Sequence, residues 1–126
     1  MQLDHILRRL DFSSLSETER KRYINRIHRI VTIIEAQFPH VSQPEQIRLK
    51  HCQYFRNVWL SEHSGSESTK AEFLRVLRLL VRVLDRPETW IGALKIKSAA
   101  AHGGRPSKIG IKRSKKYYRK RERVHE

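Results

Sequence analysis

Hydrophobic positions recur at intervals of three and four from the start of the chain, a spacing that predicts helices rather than strands. Leu3, Ile6, Leu7 and Leu10 make a short amphipathic stretch that stops near Asp11 to Ser14. Ser16-Glu17-Thr18-Glu19 follows, a capping box in which the Ser hydroxyl and the Glu carboxylate satisfy each other's backbone N–H groups. A second helix is expected to begin there, with the apolar stripe Tyr23, Ile24, Ile27, Ile30, Val31, Ile34 and Phe38. Its opposite face holds Arg20, Lys21, Arg22, Arg26 and Arg29, and Pro39 ends it. Ser42-Gln43-Pro44-Glu45 repeats the capping logic and predicts a third helix. That helix would bury Ile47, Cys52, Phe55, Val58 and Trp59 and end near His63.

Ser61 to Ser68 is polar, contains Gly65 and reads as a loop. From Thr69, with Glu72 three residues on, a fourth helix is expected through Phe73, Leu74, Leu77, Leu80, Val81 and Leu84, closed by Pro87. Its other face carries Arg75, Arg78, Arg82 and Arg86. Glu88 to Lys97 adds a short helical turn that packs Trp90, Ile91 and Leu94. Strand-like alternation is weak throughout this region, so the predicted fold is all-α, a four- to five-helix bundle. It divides into a helical body, residues 1–97, and a basic C-terminal arm, residues 98–126. Ala99 to Pro106 reads as a flexible joint, and Ile109 to Ile111 as a brief extended piece. Lys112 to Arg123 is expected to be disordered, or helical only when bound. No part of the arm is expected to contribute to a core.

Charge changes the picture more than length does. The chain has 126 residues and a net charge of +14. The arm alone, with ten Lys or Arg against two Glu, supplies more than half of that charge, and the body is basic as well. A chain of this charge is expected to meet a polyanion. No run of about 20 apolar residues is present and no secretory leader opens the chain, so the expectation is a cytoplasmic protein with no membrane partner. Cys52 is the sole cysteine and fits a reducing compartment.

Within the arm, Gly104-Arg105-Pro106 followed by Ser107-Lys108 resembles the core of an AT-hook, in which an extended Arg-Pro segment lies in a narrow A·T-rich minor groove. The bland alternative is a Gly-Pro linker that contains an arginine. Lys112, Arg113, Lys115, Lys116, Arg119, Lys120, Arg121 and Arg123 can neutralise phosphates, and Tyr117 and Tyr118 can stack on bases or sugars. The stripe Arg75, Arg78, Arg82 and Arg86 carries no interposed acid and reads either as a phosphate-facing surface or as a solvated helix face. Seven histidines invite a metal hypothesis, but His51 and Cys52 are adjacent and diverge on a helix, and no paired ligand spacing exists. No nucleophile with its base, paired carboxylates or phosphate-binding Gly loop can be assembled, so neither a cofactor nor an enzymatic activity is expected.

Two segments together resemble a known family. Leu49-Lys50-His51-Cys52-Gln53-Tyr54-Phe55-Arg56-Asn57-Val58-Trp59, a short Ser/Gly loop, and Ser68-Thr69-Lys70-Ala71-Glu72-Phe73-Leu74-Arg75-Val76-Leu77-Arg78 look like the core-binding domain of tyrosine recombinases (phage integrases). In that family a helix ending in an aromatic residue is followed by a polar loop and a Ser or Thr that starts a Leu/Arg-rich helix. The resemblance covers Glu17 to Leu84. It implies a SAM-like bundle that clasps duplex DNA, with Lys50, Thr69, Lys70, Arg75 and Arg78 as DNA-contacting candidates. A recombinase also needs a catalytic domain, for which no room exists after Leu94. The implied role is a stand-alone DNA-clasping domain, a regulator or accessory factor of a mobile element, or a fragment of a longer recombinase.

The function expected from these observations is non-enzymatic binding of double-stranded DNA by basic helix faces, Arg82 among them, and by the arm. Nucleoid association and a homodimer would accompany it. The rivals are an RNA-binding or ribosome-associated protein, in which the two tyrosines stack on unpaired bases, and a protein-interaction module with an acidic partner.

Overall fold

The computed structural model describes residues 1–63, 65–96 and 109–111, and these form an all-α bundle with a single two-residue strand pairing. The central element is α2, Glu17–Gln37, which packs against α5, Glu67–Val83, and against α3, Leu49–Tyr54, with the wide turn that follows it. The expected capping box forms: Ser16 Oγ accepts from the Glu19 N–H at 3.2 Å, and the Glu19 carboxylate reaches back to the Ser16 N–H at 3.5 Å. Ile27, Ile30, Val31 and Ile34 of α2 meet Val76, Leu77, Leu80 and Val83 of α5 in one buried cluster. A short helix, α6, Thr89–Ala93, adds Ile91 and Leu94 to that core, in keeping with their spacing. Among the described residues no helix is long and apolar enough to cross a membrane.

The first helix is shorter than its apolar spacing suggests. Only Asp4–Leu7 is helical (α1), and Leu10–Asp11 forms a strand, β1. Two competing interactions explain the break. The Arg9 guanidinium donates to the Val83 carbonyl and pairs with the Asp85 carboxylate at 3.0 Å, while Asp11 Oδ1 accepts from the Ser13 N–H at 3.0 Å in a local turn. β1 pairs antiparallel with β2, Gly110–Ile111, Leu10 standing opposite Ile111. The brief extended piece expected at Ile109 to Ile111 is therefore present, but it is anchored on the body. Ile109 is 6% exposed and belongs to the core, so the expectation that nothing in the arm builds a core is corrected.

Both boundaries around the third helix also shift. Ser42 to Glu45 does not start it: Pro44–Gln46 is a single 3₁₀ turn, closed because Gln46 Oε1 accepts from the N–H groups of Ser42 and Gln43. The helix starts at Leu49 and widens into a π turn over Phe55–Trp59, where the Leu60 N–H bonds to the carbonyl of Phe55, five residues back. The extra residue in that turn rotates everything after it, so the buried positions run Cys52, Phe55, Leu60. Val58, expected inside, is 41% exposed. Helical structure then continues as α4, Leu60–His63, into the segment expected to be loop. The next helix begins two residues before Thr69, because Ser66 Oγ, and not a later hydroxyl, caps it by accepting from the Thr69 N–H at 3.1 Å.

Two helices, α5 and α6, end in a turn whose left-handed position holds no glycine. After α5 the N–H of Asp85 bonds to Arg82 and that of Arg86 to Val81; after α6 the N–H of Lys95 bonds to Gly92 and that of Ile96 to Ile91. Each is a Schellman turn, and each puts a non-glycine residue in the left-handed region, Asp85 at φ 58° and Lys95 at φ 55°. Lys95→Gly is expected to raise stability by about 0.5–1 kcal/mol, read as a higher urea midpoint, since glycine relieves the left-handed penalty.

Among the described residues His51 is the one buried polar side chain of the core, 1% exposed, and its Nδ1 accepts from the Arg48 N–H at 2.9 Å. The proton therefore sits on Nε2, which is shielded from solvent and has no hydrogen-bond partner among the described residues. Burial first, then the positive neighbours Lys50, His40 and Arg48, hold its pKa below the usual 6.5. A depressed histidine takes up its proton more readily in the unfolded chain. Its contribution is complete above pH 6.5 and is lost as the pH falls below that value toward the folded pKa. The urea midpoint is expected to drop between about pH 7 and pH 5. His51→Asn, whose Oδ1 can still accept from Arg48, flattens that dependence.

Candidate nucleic-acid interface

The outward face of α2 repeats polar residues at helical intervals. Thr18, Lys21, Arg22, Asn25, Arg26 and Arg29 line an open depression of about 510 Å³ with Phe73 of α5. Its cations are held rather than loose. Glu72 of α5 accepts from Arg22 Nε at 2.8 Å with one carboxylate oxygen and from Arg26 Nη2 at 3.2 Å with the other. The Arg26 guanidinium lies 4.5 Å from the centre of the Phe73 ring, and its Nε is shielded and has no hydrogen-bond partner among the described residues. Lys21, 3.6 Å from Glu17, and Arg29 are exposed. Two carboxylates thus face four cations, and the depression stays positive.

An aromatic column stands beside it. Phe55, Trp59 and His63 stack at i, i+4 and i+8, with Phe55–Trp59 centroids 5.5 Å apart at 12° and Trp59–His63 centroids 4.7 Å apart at 9°. The π turn brings Trp59 to a half-buried position at the surface. Phe73 meets both Phe55 and Trp59 edge-on, and the Arg29 guanidinium is 5.6 Å from the Trp59 ring centre, so depression and column are continuous.

The residues expected from sequence to face phosphate are distributed differently. Lys50 and Arg75 are exposed, on α3 and α5. Thr69 and Lys70 are half-buried at the start of α5, Thr69 Oγ1 accepting from Ser66 at 2.9 Å and Lys70 lying 3.7 Å from Glu67. Of the arginine stripe, Arg78, Arg82 and Arg86 are half-buried and only Arg75 is open. Arg78 Nε is shielded, and Arg86 donates to the Glu45 carbonyl with its guanidinium 5.3 Å from the Trp90 ring centre. Arg86 is a brace between α5, α6 and the 3₁₀ turn. Arg105, Lys108, Lys112, Arg113, Lys115, Lys116, Arg119, Lys120 and Arg121 lie outside the described residues.

No known protein family, curated protein or solved structure matches this chain. The interface therefore rests on its own residues. The α2 face is visible in the sequence as the basic side opposite the Ile stripe; what the sequence does not show is that most of the α5 arginines are partly covered, while Lys21, Arg22 and Arg29 of α2 stay exposed and Arg26 is held by Glu72 and Phe73 of α5. Trp59 and His63 carry no sequence signal for the stack they form, and Asn25 none for the depression it lines. Cys52 is buried and its thiol is pushed up to about 12 by that burial, so it stays protonated. Among the described residues no three His, Cys, Asp or Glu side chains are grouped as metal ligands.

Glu72 occupies the place an external anion would take between Arg22 and Arg26. If the depression receives duplex DNA, Glu72→Gln is expected to tighten that binding about three- to tenfold at low salt, because one negative charge leaves the depression. The same change lowers the urea midpoint slightly, since Arg26 loses its charged partner. Fluorescence anisotropy and urea unfolding read the two effects separately.

Proposed function

We propose that the chain binds double-stranded DNA without catalysing a reaction, through the α2 face and the basic arm together. The observation that carries this reading is the alignment of Lys21, Arg22, Arg26 and Arg29 on one face of a regular helix. Eight residues of helix rise about 12 Å, the axial span of three to four phosphates on one strand. Such charges position a protein on a duplex more than they read its sequence. The arm adds a second set of cations and, at Arg105, an Arg-Pro segment suited to a narrow minor groove. The resemblance to the recombinase core-binding domain supports the same partner, and a regulator or recombination accessory factor is the role it favours.

Competition between an A·T-rich duplex and a hairpin RNA of equal charge tests the choice of partner. The duplex is expected to displace the RNA at lower concentration. The reverse order would transfer the proposal to RNA.

A further inference from the structure

The aromatic column ends in a ring that nothing on its own helix requires. His63 is exposed, on the last turn of α4, yet its ring lies 4.7 Å from that of Trp59 and within 9° of parallel. Its Nδ1 is 3.0 Å from the Trp59 carbonyl, which can only accept, so Nδ1 carries the hydrogen and the ring is fixed in orientation. Behind it, Trp59 is held by Phe55 and by the edge of Phe73, so the column is a rigid support. Beside it, Arg29 brings a cation within 5.6 Å of the Trp59 ring centre and also lines the positive depression. A flat ring at the end of a fixed stack, with phosphate-binding charge alongside, has the chemistry of a nucleobase platform. A fully paired duplex presents its bases stacked and has none to offer it.

We infer that this surface takes an unstacked base of a DNA strand on the outer face of His63, while Lys21 and Arg29 hold the adjoining phosphates. The site therefore prefers duplexes with an unpaired base, such as a bulge, junction or frayed end, over continuous duplex. The preference rests on the DNA-binding reading and adds a structural selectivity that charge alone does not supply. The π turn over Phe55–Trp59 is what makes it available, because an uninterrupted α-helix would place Trp59 on the buried side.

The test uses the full chain carrying Trp90→Phe, so that Trp59 is the remaining tryptophan of the two and its fluorescence reports the column. Two DNA duplexes of equal length are titrated, one continuous and one with a single unpaired adenine. The bulged duplex is expected to bind about tenfold more tightly and to quench Trp59, the size of one base–aromatic stack. His63→Ala abolishes the difference between the two, and His63→Phe, which keeps a flat ring, restores it. Equal affinity for the two duplexes, or a preference that survives His63→Ala, overturns the inference while leaving duplex binding intact. Failure of both duplexes to bind overturns the inference and the DNA-binding reading beneath it.

Discussion

Truncation after Ile111 is expected to weaken duplex DNA binding on the order of a hundredfold at about 0.1 M salt, with the fold unaffected. The cut removes eight Lys or Arg between Lys112 and Arg123. Every phosphate that the arm no longer neutralises makes the slope of log K against log salt shallower by about 0.9, so the truncated chain should differ by several units. The position of the cut matters. Removing everything from Gly103 would also delete Ile109 from the core and β2 from its pairing with β1, and would confuse a loss of stability with a loss of binding. Keeping Ile111 separates the two, because thermal unfolding should then match that of the intact chain. An unchanged slope would show that the segment from Lys112 onward does not touch the DNA.

Phe55→Ala is expected to cost about 3–5 kcal/mol, the range for deleting a buried phenyl ring. Phe55 is fully buried, starts the π turn, stacks on Trp59 and meets the Phe73 ring at 5.7 Å. Domains of this size are stable by only about 5–15 kcal/mol, so the loss is a large share of the total. Urea unfolding followed by far-UV circular dichroism measures it. The change should also release Trp59 from its support, seen as a shift in tryptophan emission. A cost below about 1 kcal/mol would mean that the π turn collapses around the missing ring.

Much of the bundle is legible in the sequence because local chemistry and burial agree there. The Ser16 capping box, the Ile stripe of α2 and the Leu stripe of α5 each point to one structure at every level, from propensity to packing. Where sequence and structure part, two local solutions are close. Thr69 with Glu72 three residues on matches a capping pattern as well as Ser66 does, and the structure uses Ser66, whose Oγ accepts from the Thr69 N–H. Leu10 continues the spacing of Leu3, Ile6 and Leu7, yet a strand partner about a hundred residues away claims it. The π turn leaves no compositional trace, because one inserted residue changes which side of the helix Val58 faces without changing any residue type.

The candidate site divides in the same way. Charge alone identifies both arginine-bearing helices, since a basic face opposite an apolar stripe needs no tertiary information. Which face stays open depends on the neighbours. Arg86 is consumed as a brace to the Glu45 carbonyl and beside Trp90, and Arg78 is partly covered, whereas Lys21 and Arg29 project from the far side of α2. The Trp59–His63 platform is out of reach for sequence reasoning because it exists only in the register that the π turn creates.

Salt dependence of duplex affinity, measured side by side for the intact chain and for Lys21→Glu/Arg29→Glu, tests the proposed interface most directly. For the intact chain log K should fall linearly with log salt with a slope of about −5 or steeper, and the double variant should be weaker and shallower by about two units. Coincident lines would remove the α2 face from the interface, and no binding by the intact chain at about 50 mM salt would contradict DNA binding altogether.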